Sequence, residues 1–236
     1  MPLKVAVRRT SLIDFPGKVA AVVFLPGCNF RCPYCQNAAL VDPSFADGAL
    51  GEEEFLSLGE VEAFLERRRR LISGLVISGG EPLLHEESFG LAQAARRRGL
   101  AVKLDTNGYF PERMESLDAD YVALDFKTSP SAYDRVEPGL RDAGDRVLES
   151  LAVLRASGRE FEVRITCAPG VVGLAELEEM LIWLEDGDRV ILQNFRPGGC
   201  LDAAWDGLSP YTDAEMRGML ELLRGRVGSA RLRSST

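Results

Sequence analysis

Histidine is almost missing from this chain: among 236 residues there is one, His85. That leaves no pair of imidazoles for a zinc site built on paired histidines. Long apolar runs are missing too. Nothing approaches the roughly 18 uninterrupted apolar residues that span a bilayer, and the leading MPLKVAVRRTSLIDFPGK has no signal-peptide core. These absences predict a cytoplasmic protein without a membrane partner. Basic excess is also lacking: Lys and Arg total 28 against 36 Asp and Glu, a formal charge of -8. Such a balance opposes general attraction to nucleic acid or anionic lipid. Cysteine is sparse and odd in number, five in a chain too long to need disulfide staples. A reducing compartment would keep those residues as thiols available to a metal.

What is present is a sizeable core. At 46% hydrophobic, with no internal repeat or low-complexity linker, the chain reads as one domain over 1–236, its core running from about residue 18 to about residue 226. Apolar runs at Val19 to Leu25, Gly74 to Ser78, Ala101 to Asp105, Tyr121 to Phe126, Glu162 to Cys167 and Arg189 to Asn194 read as strands. Helical spacing falls at Leu58 to Ile72, Glu86 to Arg98, Ala143 to Ser157, Leu174 to Glu185 and Thr212 to Arg224, with a short segment at Pro111 to Leu117. The alternation predicts an α/β fold with a parallel sheet buried on both faces. Val41 to Glu54 reads as an acidic loop, and the tail after Arg226 as weakly ordered. The arginine runs at 67–70 and 96–98 read as solvated faces near helix ends.

Each expected strand is followed by polar or glycine-rich residues, at the end where α/β folds bind ligands. In order these are GCNFRCPYC, SGGEP, LDTNG, LDFK, RITCAPG and QNFRP. Alone, Gly79 and Gly80 would be a tight turn, and Asp105 and Asp125 would be caps or loop acids. Their common placement favours a site.

GCNFRCPYC holds Cys28, Cys32 and Cys35 in eight consecutive positions. A closed zinc site wants four protein ligands, so Cys167, Cys200 or His85 would have to complete it. A cubane iron-sulfur cluster takes one thiolate per iron, and three cysteines would leave one iron open. This CxxxCxxC, with Tyr34 before its last cysteine and GGEP at 79–82, resembles the radical S-adenosylmethionine superfamily. The resemblance implies a partial (β/α)6 barrel, and a 4Fe-4S cluster on Cys28, Cys32 and Cys35 whose open iron chelates S-adenosylmethionine. One-electron reduction would cleave the sulfonium, and the resulting 5'-deoxyadenosyl radical would abstract hydrogen, so no catalytic side chain is required.

Carried over by motif, Gly79, Gly80 and Glu81 would line the cofactor's amino group and the backbone beside Tyr34 would meet its adenine. Asp105, Thr106, Asp125 and Lys127 would serve its methionyl carboxylate, in some members with a monovalent cation. Arg164 and Asn194 would contact carboxylate, ribose or adenine. The leader TSLIDFPGKVAAVVFLPGCNFRCPYCQN is similar to activators of anaerobic ribonucleoside-triphosphate reductase. That likeness implies a glycyl-radical enzyme as partner, with a flavodoxin- or ferredoxin-like electron donor. Two alternatives are a radical S-adenosylmethionine enzyme acting on another peptide or small molecule, and a non-enzymatic iron-sulfur protein. Cys167 is expected as a buried thiol and Cys200 as a loop thiol near the strand ends, while His85 either caps the following helix or acts in catalysis.

Overall fold

A computed structural model describes residues 3–41 and 54–233. Most of the expected acidic loop, residues 42–53, lies outside them. The described strands are β1 (Lys4–Ser11), β2 (Ala20–Leu25), β3 (Glu54–Ser57), β4 (Gly74–Gly79), β5 (Ala101–Thr106), β6 (Tyr121–Asp125), β7 (Glu160–Cys167), β8 (Arg189–Asn194) and β9 (Ser229–Leu232). The helices are α1 (Ala38–Val41), α2 (Leu58–Arg68), α3 (Glu87–Arg96), α4 (Pro111–Ser116), α5 (Ala143–Ser157), α6 (Leu174–Met180) and α7 (Asp213–Arg224). None of these helices is long and apolar enough to cross a membrane.

The chain divides into two compact units. The first comprises Met1–Asn29, Ala39–Thr106 and Glu112–Val122; the second comprises Phe30–Ala38, Asn107–Pro111 and Ala123–Thr236. In the first, the sheet order is β3-β1-β2-β4-β5. β1 runs antiparallel to β2 and β3, whereas β2, β4 and β5 are parallel, with Leu25 opposite Gly79 and Ile77 opposite Leu104. Val23, Leu25, Leu75, Val76, Ile77, Val102 and Leu104 are buried, which explains why the strands read as continuous apolar runs. Helix α2 starts at a capping box, Ser57 with Glu60, and buries Val61, Phe64 and Leu65; α3 buries Leu91, Ala92, Ala94 and Ala95.

In the second unit β7, β8 and β9 are parallel neighbours, with Cys167 opposite Asn194 and Leu192 opposite Leu232. Helix α5 ends on Gly158 in the left-handed conformation (φ +68°), and α7 opens with a Thr212–Glu215 capping box. In each unit, successive parallel strands lie side by side without a reversal of order. Neighbouring strands of a partial (β/α) barrel follow one another in the same way.

The six expected strands are present, each end within two residues of its sequence-read limit. The tail is corrected: Ser229–Leu232 forms β9 against β8. β1 and β3 were also not legible. Both belong to the antiparallel edge, where β1 carries exposed Lys4, Arg8, Arg9 and Thr10, and β3 is four residues long. The leader has a structural task here. Phe15 packs with Ala20, Val22, Val76 and Tyr121, and a Cβ on Gly74 would stand 2.8 Å from its ring. Burying such a ring contributes roughly 1.5–3 kcal/mol.

Both arginine runs are engaged in polar contacts: Arg68 bonds Thr10, Arg96 pairs with Asp118 and Asp120, and Arg98 with Glu62 and Glu66.

Candidate active site

In the first unit, the approach to Cys28 is held carbonyl by carbonyl. Gly80 N–H donates to Leu25 C=O at 2.9 Å and Glu81 N–H to Gly27 C=O at 2.8 Å. Between them, His85 Nε2 lies 2.5 Å from the Pro26 carbonyl oxygen. A carbonyl only accepts, so Nε2 carries the proton. The segment GGEPLLH thus grips three consecutive peptide groups ahead of the cysteine. A Cβ on Gly80 would stand 2.0 Å from Gly27 O, and one on Gly79 would stand 2.2 Å from Leu25 O. These two glycines are required first by the approach of the chain to itself. His85 does not cap α3: Glu86 holds that position, without a side-chain cap bond.

Glu81 is fully buried, and its Oε1 accepts from Leu83 N–H at 3.0 Å and Thr106 Oγ1 at 2.8 Å. The GGEP turn is therefore tied to the end of β5. One residue back, Asp105 Oδ1 accepts from Lys103 Nζ, and Ser78 Oγ lies 3.4 Å from Oδ2. Lys103 is 2% exposed, and its ammonium lies 6.0 Å from the Tyr121 ring centroid.

In the second unit, Cys35 N–H donates to Cys32 C=O at 3.0 Å, placing both cysteines on one turn. Tyr34, between them, is buried, and its hydroxyl lies 3.5 Å from Lys127 C=O. Asp125 accepts from Lys127 Nζ at 2.8 Å and Arg164 Nε at 2.7 Å. Burial by itself would push the Asp125 carboxyl up, but Arg164 and Lys127 reverse this and hold it well below the usual carboxylate range. For Lys127, burial works against the charged form, yet Asp125 and then Cys32 hold the ammonium above the usual lysine range. One carboxylate with two cations leaves a net positive group, suited to a carboxylate ligand. Burial raises Cys35 as well, and Lys127 partly offsets it.

The loop after β8 closes on the same turn. Leu201 N–H donates to Cys35 C=O at 3.1 Å, Asp202 N–H to Pro33 C=O at 3.0 Å, and Gln36 Nε2 to Arg196 C=O at 2.8 Å. The Trp205 ring lies 5.9 Å from that of Tyr34, centroid to centroid. Cys200 is buried within this loop; burial, followed by Asp206, pushes its thiol up to about 11. Cys167 is the expected buried thiol, pushed by burial up to about 12. Asn194 donates through Nδ2 to Tyr211 C=O at 2.6 Å, while its Oδ1 is buried with no hydrogen-bond partner.

Each unit thus gathers its own share of the sequence-read residues. Cys28, Gly79, Gly80, Glu81, Asp105 and Thr106 fall in the first; Cys32, Tyr34, Cys35, Asp125, Lys127, Arg164 and Asn194 fall in the second. Sequence reasoning missed Lys103, Trp205 and the grip of His85 on Pro26. A lysine inside an otherwise apolar strand, VKLD, was the available signal for the first.

All five cysteines are unbridged thiols. Among the described residues no three His, Cys, Asp or Glu side chains converge as ligands of a single metal ion. A cubane asks for something different, one thiolate at each of several irons, and the sequence spacing of Cys28, Cys32 and Cys35 supplies three. The buried, unmatched Oδ1 of Asn194 and the positive group around Asp125 suit a ligand carrying both hydrogen-bond donors and a carboxylate.

Fold and site together define an α/β barrel-type protein with a cysteine-bearing turn after its first parallel strand. The sequence pattern of the Radical SAM superfamily matches residues 22–209, and the chain belongs to that superfamily. Its enzymes use a 4Fe-4S cluster and S-adenosylmethionine. A relative from Methanocaldococcus jannaschii, named "Putative glycyl-radical enzyme activating enzyme", is 29% identical over 232 residues, covering 95% of this chain and 92% of its own. The 7-carboxy-7-deazaguanine synthase of Hyperthermus butylicus is 37% identical over 98 residues, covering 41% of this chain and 38% of its own. Among solved structures, QueE from Escherichia coli shares the fold with a TM-score of 0.57 at 17% identity, covering 98% of this chain and 95% of that one.

Proposed function

We propose that this radical S-adenosylmethionine enzyme is an activase that reductively cleaves S-adenosylmethionine and generates a glycyl radical on a partner, anaerobic ribonucleoside-triphosphate reductase. The observation that carries the activase reading is the whole-length likeness to the Methanocaldococcus jannaschii relative. The leader over Thr10 to Asn37 supports the choice of partner. In this reading 1–236 is one radical S-adenosylmethionine domain acting in the cytoplasm, supplied by a flavodoxin- or ferredoxin-like donor.

When bound, the cluster and S-adenosylmethionine supply one-electron cleavage of the sulfonium and a carbon radical that takes hydrogen from the substrate. The chain's residues bind, orient and exclude water. Cys28, Cys32 and Cys35 would hold three of the cluster's irons. GGEPLLH fixes the peptide groups ahead of Cys28, and the loop after β8 fixes those beside Cys35. Lys127 and Arg164, each paired with Asp125, would bind the methionyl carboxylate. Asn194 Oδ1, buried without a hydrogen-bond partner, would accept from the adenine or ribose. Gly79, Gly80, Glu81, Asp105 and Thr106 would shape the amino-group side, and the backbone beside Tyr34 would meet the adenine.

The test is anaerobic reconstitution with reductant, S-adenosylmethionine and the candidate reductase, read by electron paramagnetic resonance. A glycyl-radical doublet on the reductase is expected with the wild type and none with Cys32→Ala. Cleavage by Cys32→Ala at the parent rate would overturn the cluster assignment.

A second reading, action on a small molecule, draws on the partial match to 7-carboxy-7-deazaguanine synthase. It is favoured if 5'-deoxyadenosine forms and no candidate reductase acquires a radical.

A further inference from the structure

The resemblance raised a monovalent cation at the aspartates of the strand ends. The side chains around each aspartate do not fit one. Asp105 faces the ammonium of Lys103, which is 2% exposed and has the Asp105 carboxylate as its ion-pair partner. Asp125 spends one oxygen on Lys127 and the other on Arg164, at 2.8 and 2.7 Å. A second cation placed at either carboxylate would meet a like charge already there, in half-buried surroundings where water screens the repulsion only in part.

We infer that this chain carries its own cations where a bound monovalent ion would stand, with Lys103 serving Asp105, and Lys127 with Arg164 serving Asp125. Lys103 is a positioning residue: it acts through Asp105, fixing the carboxylate's rotamer beside Thr106, which in turn bonds Glu81. The position on β5 explains the choice of lysine. Residues 103 and 105 point to the same side of the strand, and a four-carbon stem can lie along the apolar interior while its head reaches the acid two residues on. The cation–π geometry over Tyr121 gives the buried ammonium a second favourable neighbour. The consequence is independence from potassium and sodium. The inference rests on the proposed S-adenosylmethionine site, and its test separates the two.

The reconstituted wild type is titrated with S-adenosylmethionine by calorimetry in potassium, sodium and tetramethylammonium chloride at equal ionic strength. Affinities within about twofold of one another are expected. Lys103→Met should bind about tenfold more weakly in tetramethylammonium and recover in potassium, while Lys103→Arg should stay indifferent to the salt. In parallel, thermal midpoints are taken on the cluster-free chain, where potassium should raise that of Lys103→Met and leave the wild type unchanged. Wild-type binding that requires potassium or sodium would overturn the inference, as would a Lys103→Met variant indifferent to the cation in both measurements. If the wild type binds no S-adenosylmethionine in any salt, the functional reading fails and the wild-type midpoint decides the inference: a rise with potassium sinks it. Should Lys103→Met not fold, the wild-type and Lys103→Arg arms decide in the same way.

Discussion

Asp125 is the residue on which the second unit's electrostatics turn. Its ordinary value would be about 4, and its two cationic neighbours hold it lower once folded. A depressed carboxyl contributes stability that is complete above the unfolded value and is lost as pH falls through the folded one. The cluster-free protein should therefore lose thermal stability below about pH 4, and Asp125→Asn should flatten that acid limb. An identical acid limb in the variant would remove Asp125 from the account. Its neighbour Lys127 offers a separate test. A hydrogen bond to a charged group is worth about 1.5–3 kcal/mol, so Lys127→Met should weaken S-adenosylmethionine binding roughly ten- to hundredfold. Iron content should stay at the wild-type level, which distinguishes a lost ligand contact from a misfolded cysteine turn. At this scale the motif DxK was legible because its two residues are neighbours in sequence. The guanidinium completing the group comes from β7, 39 positions away, and only the packed structure delivers it to the same carboxylate.

At the scale of elements, the turn ahead of Cys28 depends on the segment after β4. Gly80→Ala would place a methyl 2.0 Å from Gly27 O, a backbone atom that cannot rotate away. Retention of iron per chain should collapse, and the protein should lose several kcal/mol, as strained backbone substitutions do. His85 gives a gentler perturbation. His85→Leu removes the donor to Pro26 C=O and should speed iron loss to a chelator. His85→Gln, whose amide can donate, should restore retention toward wild type. If both variants release iron at the wild-type rate, the imidazole is not part of the grip. The sequence showed the glycines as cofactor contacts, and the close approach of Leu25 and Gly27 is a second demand on them. It showed the histidine and offered a helix cap, a position that Glu86 holds instead, or a catalytic role. Neither partner carbonyl carries any side-chain signature, so backbone acceptors of this kind are invisible until the strands are in register.

Across the whole molecule, the superfamily pattern over residues 22–209 and the solved QueE fold agree with the barrel class expected from alternating apolar and amphipathic stretches. The least legible parts are the flanking strands β1, β3 and β9. β9 pairs four residues with β8 and continues through Arg233 N–H to Leu192 C=O at 2.7 Å. Removing residues 229–236 should leave β8 as an open edge, lowering the thermal midpoint and promoting association on heating. A truncated chain as stable and monodisperse as the full one would show that β9 contributes nothing to the sheet. By itself the sequence determined six of the strand sites, the helical segments between them and the three-thiol loop, because these follow from local periodicity and spacing. Only the tertiary structure decided that Gly79 and Gly80 are demanded by the chain's own backbone, that His85 holds Pro26, and that Asp105 and Asp125 come with their counter-cations. Those outcomes depend on the distances between strands and on which buried charges must be paired, and neither is written in any single stretch of residues.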